Sequence, residues 1–189
     1  MQRFALSLLF FGLAIGPVSA APKAPPKQQN PAQHKVQAPG QNINKLGDSQ
    51  GWVSYTDMAR NAKICYLIGK PEKSEPATAK RGPIFASVTH RPSEKRLNEV
   101  SFTSGYLFKE GSEAELSIDG KKFSLFTNKD GAWTRDAATD KAVVEALAKG
   151  KQAIIKGTSA RGTATTDTYS LAGFTQALDA IDKACGVKH

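Results

Sequence analysis

The stretch Ser112–Asp119 (SEAELSID) limits the fold more than any other part of this chain. Ala114, Leu116 and Ile118 alternate with Glu113, Glu115, Ser117 and Asp119. Successive strand side chains point to opposite faces, so this spacing puts one face in a core and the other in water. Asp119-Gly120 follows, a pair that tolerates the positive φ of a tight turn. Phe123 and Leu125 resume the alternation beyond it. Such a hairpin, apolar on one side, belongs to an antiparallel sheet. Trp52–Tyr55 and Ile64–Ile68 are rich in aromatic and β-branched residues, as strands are. Ile84–His90 reads as a further strand, Arg91–Glu94 as a turn, and Asn98–Thr103 as the hairpin partner. Asn128–Gly131 makes another turn, with Ala132-Trp133-Thr134 returning to the sheet, and Pro71–Pro83 reads as loop.

Two helices are expected beside these strands. Thr139 or Asp140 caps a short one that carries Val143, Val144 and Leu147, and Gly150 ends it. The second runs from about Leu171 to Ala184, with Phe174, Leu178, Ile181 and Cys185 on one stripe and Gly186 as its cap. The predicted fold is mainly β, an antiparallel sandwich-like body with two packed helices, the second C-terminal. Strands and helices do not alternate regularly, which disfavours a parallel α/β sheet.

The N-terminal residues have a different character. Arg3 precedes an uncharged apolar run, Phe4–Ile15, and Val18-Ser19-Ala20 supplies small residues. That is the layout of a secretory signal peptide over residues 1–20, cut after Ala20, and too short to remain as a membrane span. Residues 21–50 hold Pro22, Pro25, Pro26, Pro31 and Pro39 with few apolar side chains, and read as a disordered, basic leash. The folded domain is then expected over 51–189, with no transmembrane segment in the mature chain. Across all 189 residues the hydrophobic content of 40% and charged content of 23% suit a globular protein. Export reinterprets the formal net charge of +9. Anionic headgroups, sugars and proteins become the expected partners, in the periplasm or at the cell surface, and nucleic acid does not. An even cysteine count in an oxidising compartment points to one disulfide, Cys65 to Cys185. Because Cys185 extends the apolar stripe of the last helix, its sulfur is expected to face the sheet.

Residues 157–163 (GTSARGT) carry the glycine spacing of a phosphate loop. Thr163 stands where the lysine belongs, and Ala164–Tyr169 reads as strand rather than helix, so a hairpin with Gly162 in the left-handed position is expected instead. Its Thr-rich return strand reads as exposed surface. His90 is the one histidine placed for a fixed site, and a triad with Asp167 and Ser159 or Ser170 can be written. No nucleophile-elbow motif supports it, and His90 reads as a strand-end polar residue. There is no His-x-x-x-His, no close Cys pair and no Asp-rich loop, so neither metal nor cofactor is expected. The carboxylates Glu113 and Glu115 lie on a wet strand face. Trp52 and Trp133 are expected in the core. The candidate partner-binding residues are Arg91, Lys95 and Arg96 in one predicted hairpin tip and Arg161 in another.

Several segments, in order, carry a resemblance: KICYLIGKPEKSEP, VTHRPSEKRLNEVSF, GYLFKEGSEAELSIDGKKFSLFT, GAW and KGTSARGTATTDTYSLAGFTQAL. Together they resemble the invasion-associated locus B family over about Gly51 to Val187. The leash is not part of the resemblance. It implies a β-rich exported envelope protein of a kind found in alphaproteobacteria, with no assigned catalytic residues and a disulfide that fits Cys65 and Cys185. One member of that family is linked with entry of a pathogen into red blood cells, so a host-cell partner belongs among the expectations. The expected function is therefore non-enzymatic binding of a protein or of an anionic envelope or host component. The alternatives are a periplasmic hydrolase using His90, or a periplasmic folding or assembly factor with an open sheet edge or an apolar groove.

Overall fold

A computed structural model of the chain describes residues 42–59 and 61–188. The expected signal peptide, 1–20, and most of the expected leash, 21–41, lie outside the described residues. The strands are β1 (Asn44–Ser49), β2 (Trp52–Ala59), β3 (Ala62–Gly69), β4 (Lys73–Glu75), β5 (Phe85–Arg91) and β6 (Arg96–Thr103), followed by β7 (Glu113–Ile118), β8 (Lys121–Asn128), β9 (Gly131–Trp133), β10 (Gln152–Thr158) and β11 (Ala164–Ser170). Helix α1 is Ala137–Lys149 and α2 is Phe174–Cys185. The strands pair antiparallel in one open sheet, in the order β1-β2-β3-β5-β6-β9-β8-β7-β10-β11-β4.

The mainly β, antiparallel body with a C-terminal second helix is as its alternation predicts. β7 and β8 pair from Glu113↔Phe126 to Ile118↔Lys121, and Ala114, Leu116, Ile118 and Leu125 are buried. Asp119 and Gly120 hold the positive φ that the turn requires. The sheet bends so that its two ends share one core. The Phe102 ring on β6 meets Tyr169 on β11 edge-on at 5.8 Å, and Trp52 on β2 donates its indole N–H to the Ser170 carbonyl at 2.9 Å. Strands from both ends thus cover the same apolar side chains, which is what makes a single sheet sandwich-like.

Two boundaries differ from expectation. Asn44–Ser49, read as the end of the leash, pairs with β2 as an edge strand. Its composition is polar because only part of one face meets the protein. Lys73–Glu75, inside the expected loop, pairs with β11 at the opposite edge. Neither edge is long and flat: β4 has three residues, and β1 breaks its register between Lys45 and Gly47.

Helix α2 closes the inward face of β2, β3 and β5. Phe174, Leu178 and Ile181 are buried, and each such side chain removed from water stabilises by about 1.5–3 kcal/mol. The polar ties are as specific as the apolar ones. The Ser54 hydroxyl donates to the Ala177 carbonyl at 2.9 Å, and Cys65 is bonded to Cys185 with its Cα atoms 6.0 Å apart. The helix begins later than its sequence suggests, at Phe174, because Gly173 takes the left-handed conformation there. Helix α1 packs Val143, Val144 and Leu147 inward. Asp136 caps it, rather than Thr139 or Asp140, by accepting the Thr139 amide at 2.8 Å. The Asp140 carboxylate instead accepts the Val100 amide of β6 at 2.8 Å. Among the described residues no helix is long and apolar enough to cross a membrane.

Candidate functional site

The four basic candidates fall in two separate places. Arg91, Lys95 and Arg96 surround a short 3₁₀ turn, Pro92–Glu94, that joins β5 to β6. Lys95 ends the turn in the left-handed conformation, and its amide donates to the Pro92 carbonyl at 3.0 Å. The guanidinium groups here are neutralised. Arg91 Nε donates to Glu99 at 2.9 Å, and Arg96 pairs with Glu99 and, at 3.7 Å, with Glu94. Lys95 alone of the three has no carboxylate partner among the described residues. Beside this tip lies a cavity of about 520 Å³ with Lys95 and Arg96 on one side and Arg135, Asp136 and Asp140 on the other. Its charges cancel. Burial raises the Asp140 carboxyl above its usual range, although the Thr134 hydroxyl and the Val100 amide pull the other way.

Trp133 lines this same cavity and corrects the expectation that it fills the core. Trp133 stacks on its cross-strand neighbour Phe126 with ring centroids 5.7 Å apart, on the outward face of the sheet. The strand β9 is short, and Ala132, not Trp133, takes its buried position between Phe102 and Thr127. Trp52 is in the core, edge-on to Phe174 at 5.0 Å.

Arg161 stands at the other place, the turn from β10 to β11. Gly162 has φ 83°, and its amide donates to the Ser159 carbonyl at 2.8 Å, so the GTSARGT stretch is a hairpin. The Thr163 amide donates to Ser159 Oγ at 3.1 Å, and the Ala160 amide to the Leu107 carbonyl at 2.7 Å. The turn forms one wall of a cavity of about 620 Å³, and the segment Thr78–Arg81 forms another. Lys80 and Arg161 both line it, and among the described residues neither has a carboxylate partner.

The base of this cavity is a network whose two charged members are far apart in sequence. Arg81 forks onto the Asp167 carboxylate at 2.7 and 2.6 Å, and its Nε donates to the Ser104 carbonyl at 2.8 Å. Both side chains are almost fully buried, at 5% and 4% exposure. The guanidinium lies 5.0 Å over the Tyr106 ring, and the Tyr106 hydroxyl is 2.6 Å from Thr165 Oγ1. Burial pushes the Tyr106 hydroxyl up, against the opposing effects of Thr165 and Arg81. Thr165, Asp167 and Tyr169 are therefore inward residues, and the Thr-rich return strand is not the exposed surface it resembles. The alternation Thr165/Asp167/Tyr169 held the clue. A carboxylate in the core register of a strand requires a cation, and Arg81 supplies it.

The backbone around the cavity is tight where it turns. Gly105 has φ +72°, and its amide-bearing loop meets Gly82, whose N–H donates to the Gly105 carbonyl at 2.8 Å. A Cβ at Gly105 would lie 2.5 Å from the Gly82 carbonyl oxygen. Gly105→Ala is expected to cost about 1–3 kcal/mol of stability through strain and displacement of this loop, read as a lower urea midpoint with an unchanged slope.

His90 lies inside the fold with both ring nitrogens engaged. Its ring is fully buried under α2. Nε2 lies 2.8 Å from Asp182 Oδ1, and Nδ1 accepts the Asn98 amide at 3.1 Å. With Nδ1 accepting, the ring proton sits on Nε2 and points at the Asp182 carboxylate, so neither nitrogen is open to a substrate. Asp167, the second member of the triad that can be written, is held by Arg81 instead. His90 is a polar residue at the end of β5, as expected, and it is buried as a tie between β5 and α2. Among the described residues no three His, Cys, Asp or Glu side chains gather as metal ligands do.

The comparisons bear on the whole of this architecture. No curated protein matches the chain, and no solved structure matches it. The family model of the invasion associated locus B (IalB) protein matches residues 52–182. That span runs from the first residue of β2 into the last turn of α2, and so takes in Cys65, the buried Arg81–Asp167 pair and both basic hairpin tips. The chain belongs to the invasion associated locus B family.

Proposed function

We propose that this chain is an exported, non-enzymatic protein of the cell envelope, in the periplasm or at the cell surface, that acts by binding an anionic partner. The partner is a protein or an envelope or host component. The layout of residues 1–20 supports export. The one observation that carries binding is the 620 Å³ cavity on whose walls Lys80 and Arg161 stand without carboxylate partners among the described residues. A cavity of this size, with fixed polar groups at its base and cations on its walls, suits recognition of negative charge. The engagement of both His90 nitrogens supports a non-catalytic reading.

Reversing Arg91, Lys95, Arg96 and Arg161 together to glutamate is expected to reduce capture of envelope partners at least tenfold in a pull-down with the mature chain. Arg161→Glu alone accounts for most of that loss, because Arg91 and Arg96 already face Glu99. Undiminished capture by the fourfold variant overturns the reading. An apolar groove of about 810 Å³ on the outward face, lined by Val53, Tyr55, Ile68, Pro83 and Phe85, favours the folding-factor alternative. If capture survives charge reversal and disappears with Ile68→Glu, that groove is the binding site.

A further inference from the structure

We infer that the cavity between Thr78–Arg81 and the β10–β11 turn is a site for a phosphomonoester of about sugar size. This inference rests on the anion-binding reading above and gives it a ligand class. It starts from the charge balance. Arg81 and Asp167 cancel each other at the base, and Lys80 and Arg161 remain, so the site favours a ligand carrying two negative charges. A phosphate monoester is close to doubly charged at neutral pH, with a second pKa near 6, and presents three acceptor oxygens.

The donors match that demand. A guanidinium has five N–H donors in a fixed plane. Those of Arg81 that serve Ser104 and Asp167 number three, which leaves two on a side chain that lines the cavity. The Ser159 oxygen accepts the Thr163 amide, its own proton has no acceptor among the described residues, and the Thr163 hydroxyl adds another donor on the same wall. The Arg81 plane cannot swing away, because Asp167, Ser104 and the Tyr106 ring hold it from three sides. The Arg81 base is preorganised, so it loses little freedom when an oxyanion enters. The volume of about 620 Å³ exceeds what a bare phosphate fills and leaves room for a sugar ring. None of this uses the mechanism of a phosphate loop. The glycine spacing of residues 157–162 serves a hairpin, and side chains rather than a helix N-terminus face the anion.

The test is a chemical-shift titration of the mature chain with glucose 6-phosphate, with glucose as control. Saturable shifts confined to Lys80, Arg81, Tyr106, Ser159, Arg161 and Thr163 are expected. They should weaken at least tenfold in Lys80→Glu/Arg161→Glu and stay unchanged in Lys141→Glu, an exposed position on α1 away from the cavity. Inorganic phosphate and vesicles containing phosphatidic acid separate the sources. Co-sedimentation that depends on Lys80 and Arg161 assigns the site to a lipid headgroup. Binding of glucose 6-phosphate without co-sedimentation assigns it to a soluble phosphosugar. No saturable shift at millimolar ligand, or equal binding by the double variant, overturns the inference. If the pull-down remains sensitive to Arg161→Glu in that event, the anionic-partner reading stands and the ligand class alone is wrong.

Discussion

Cys65→Ala/Cys185→Ala is expected to lower the unfolding free energy by about 5 kcal/mol. Cross-linking residues 120 apart removes loop-closure entropy from the unfolded chain, and the chain-entropy relation gives that magnitude for so long a loop. Alanine is the informative replacement, because Cys65 is fully buried and a serine would add an unsatisfied hydroxyl to the loss of the bond. Urea denaturation of the oxidised protein, the reduced protein and the double variant checks it. The reduced protein and the variant should coincide. A difference below about 1 kcal/mol between oxidised and variant protein would show that Ser54–Ala177 and His90–Asp182 hold α2 without help from the bond.

The second large effect is at the base of the cavity. Arg81→Met and Asp167→Leu are each expected to destabilise by about 3–5 kcal/mol, because each leaves an uncompensated charge among buried groups. The double variant Arg81→Met/Asp167→Leu should recover most of that loss, since an apolar pair of similar volume needs no partner. A thermodynamic cycle from four denaturation curves gives the coupling between the two side chains. Additive single effects would show that the pair does not act as a unit. Arg81 is also expected to anchor the segment Thr78–Arg81, so Arg81→Met should raise its rate of proteolysis before global unfolding.

How much of this was legible depended on how local the signal was. The β7–β8 hairpin needed only a period of two and an Asp-Gly turn. The stripe Phe174, Leu178, Ile181 and Cys185 named both the buried face of α2 and the direction of its sulfur. By contrast β1 and β4 sit at sheet edges, where one neighbour suffices and a polar sequence is tolerated, so neither left an apolar pattern. Trp133 misled because the residue type suggests a core, while the pleat of a three-residue strand sends it outward. The basic tip at Arg91–Arg96 was found, but its charge was not. Glu99, which pairs with both of its arginines, is eight residues from Arg91 and is brought beside it by the hairpin. The base of the cavity was the hardest part to see, because Arg81 and Asp167 are 86 residues apart and meet only when the sheet bends. A loop lysine, Lys80, gains its meaning from that bend alone.

The placement of α2 also has a consequence for the order in which the chain can become a protein. Synthesis delivers the N-terminal residues first. β2 and β3 are complete while the helix that covers them does not yet exist: Ser54 waits for a carbonyl 123 residues later, and Cys65 for a thiol 120 residues later. The inward face of β2, β3 and β5 is thus born without its helix. Contacts of such long sequence separation are slow to form, and bare strands in the interval invite pairing with other chains. Closure of that face waits for the twelve residues of α2, and a chain cut before Phe174 is expected to be left as an adhesive fragment.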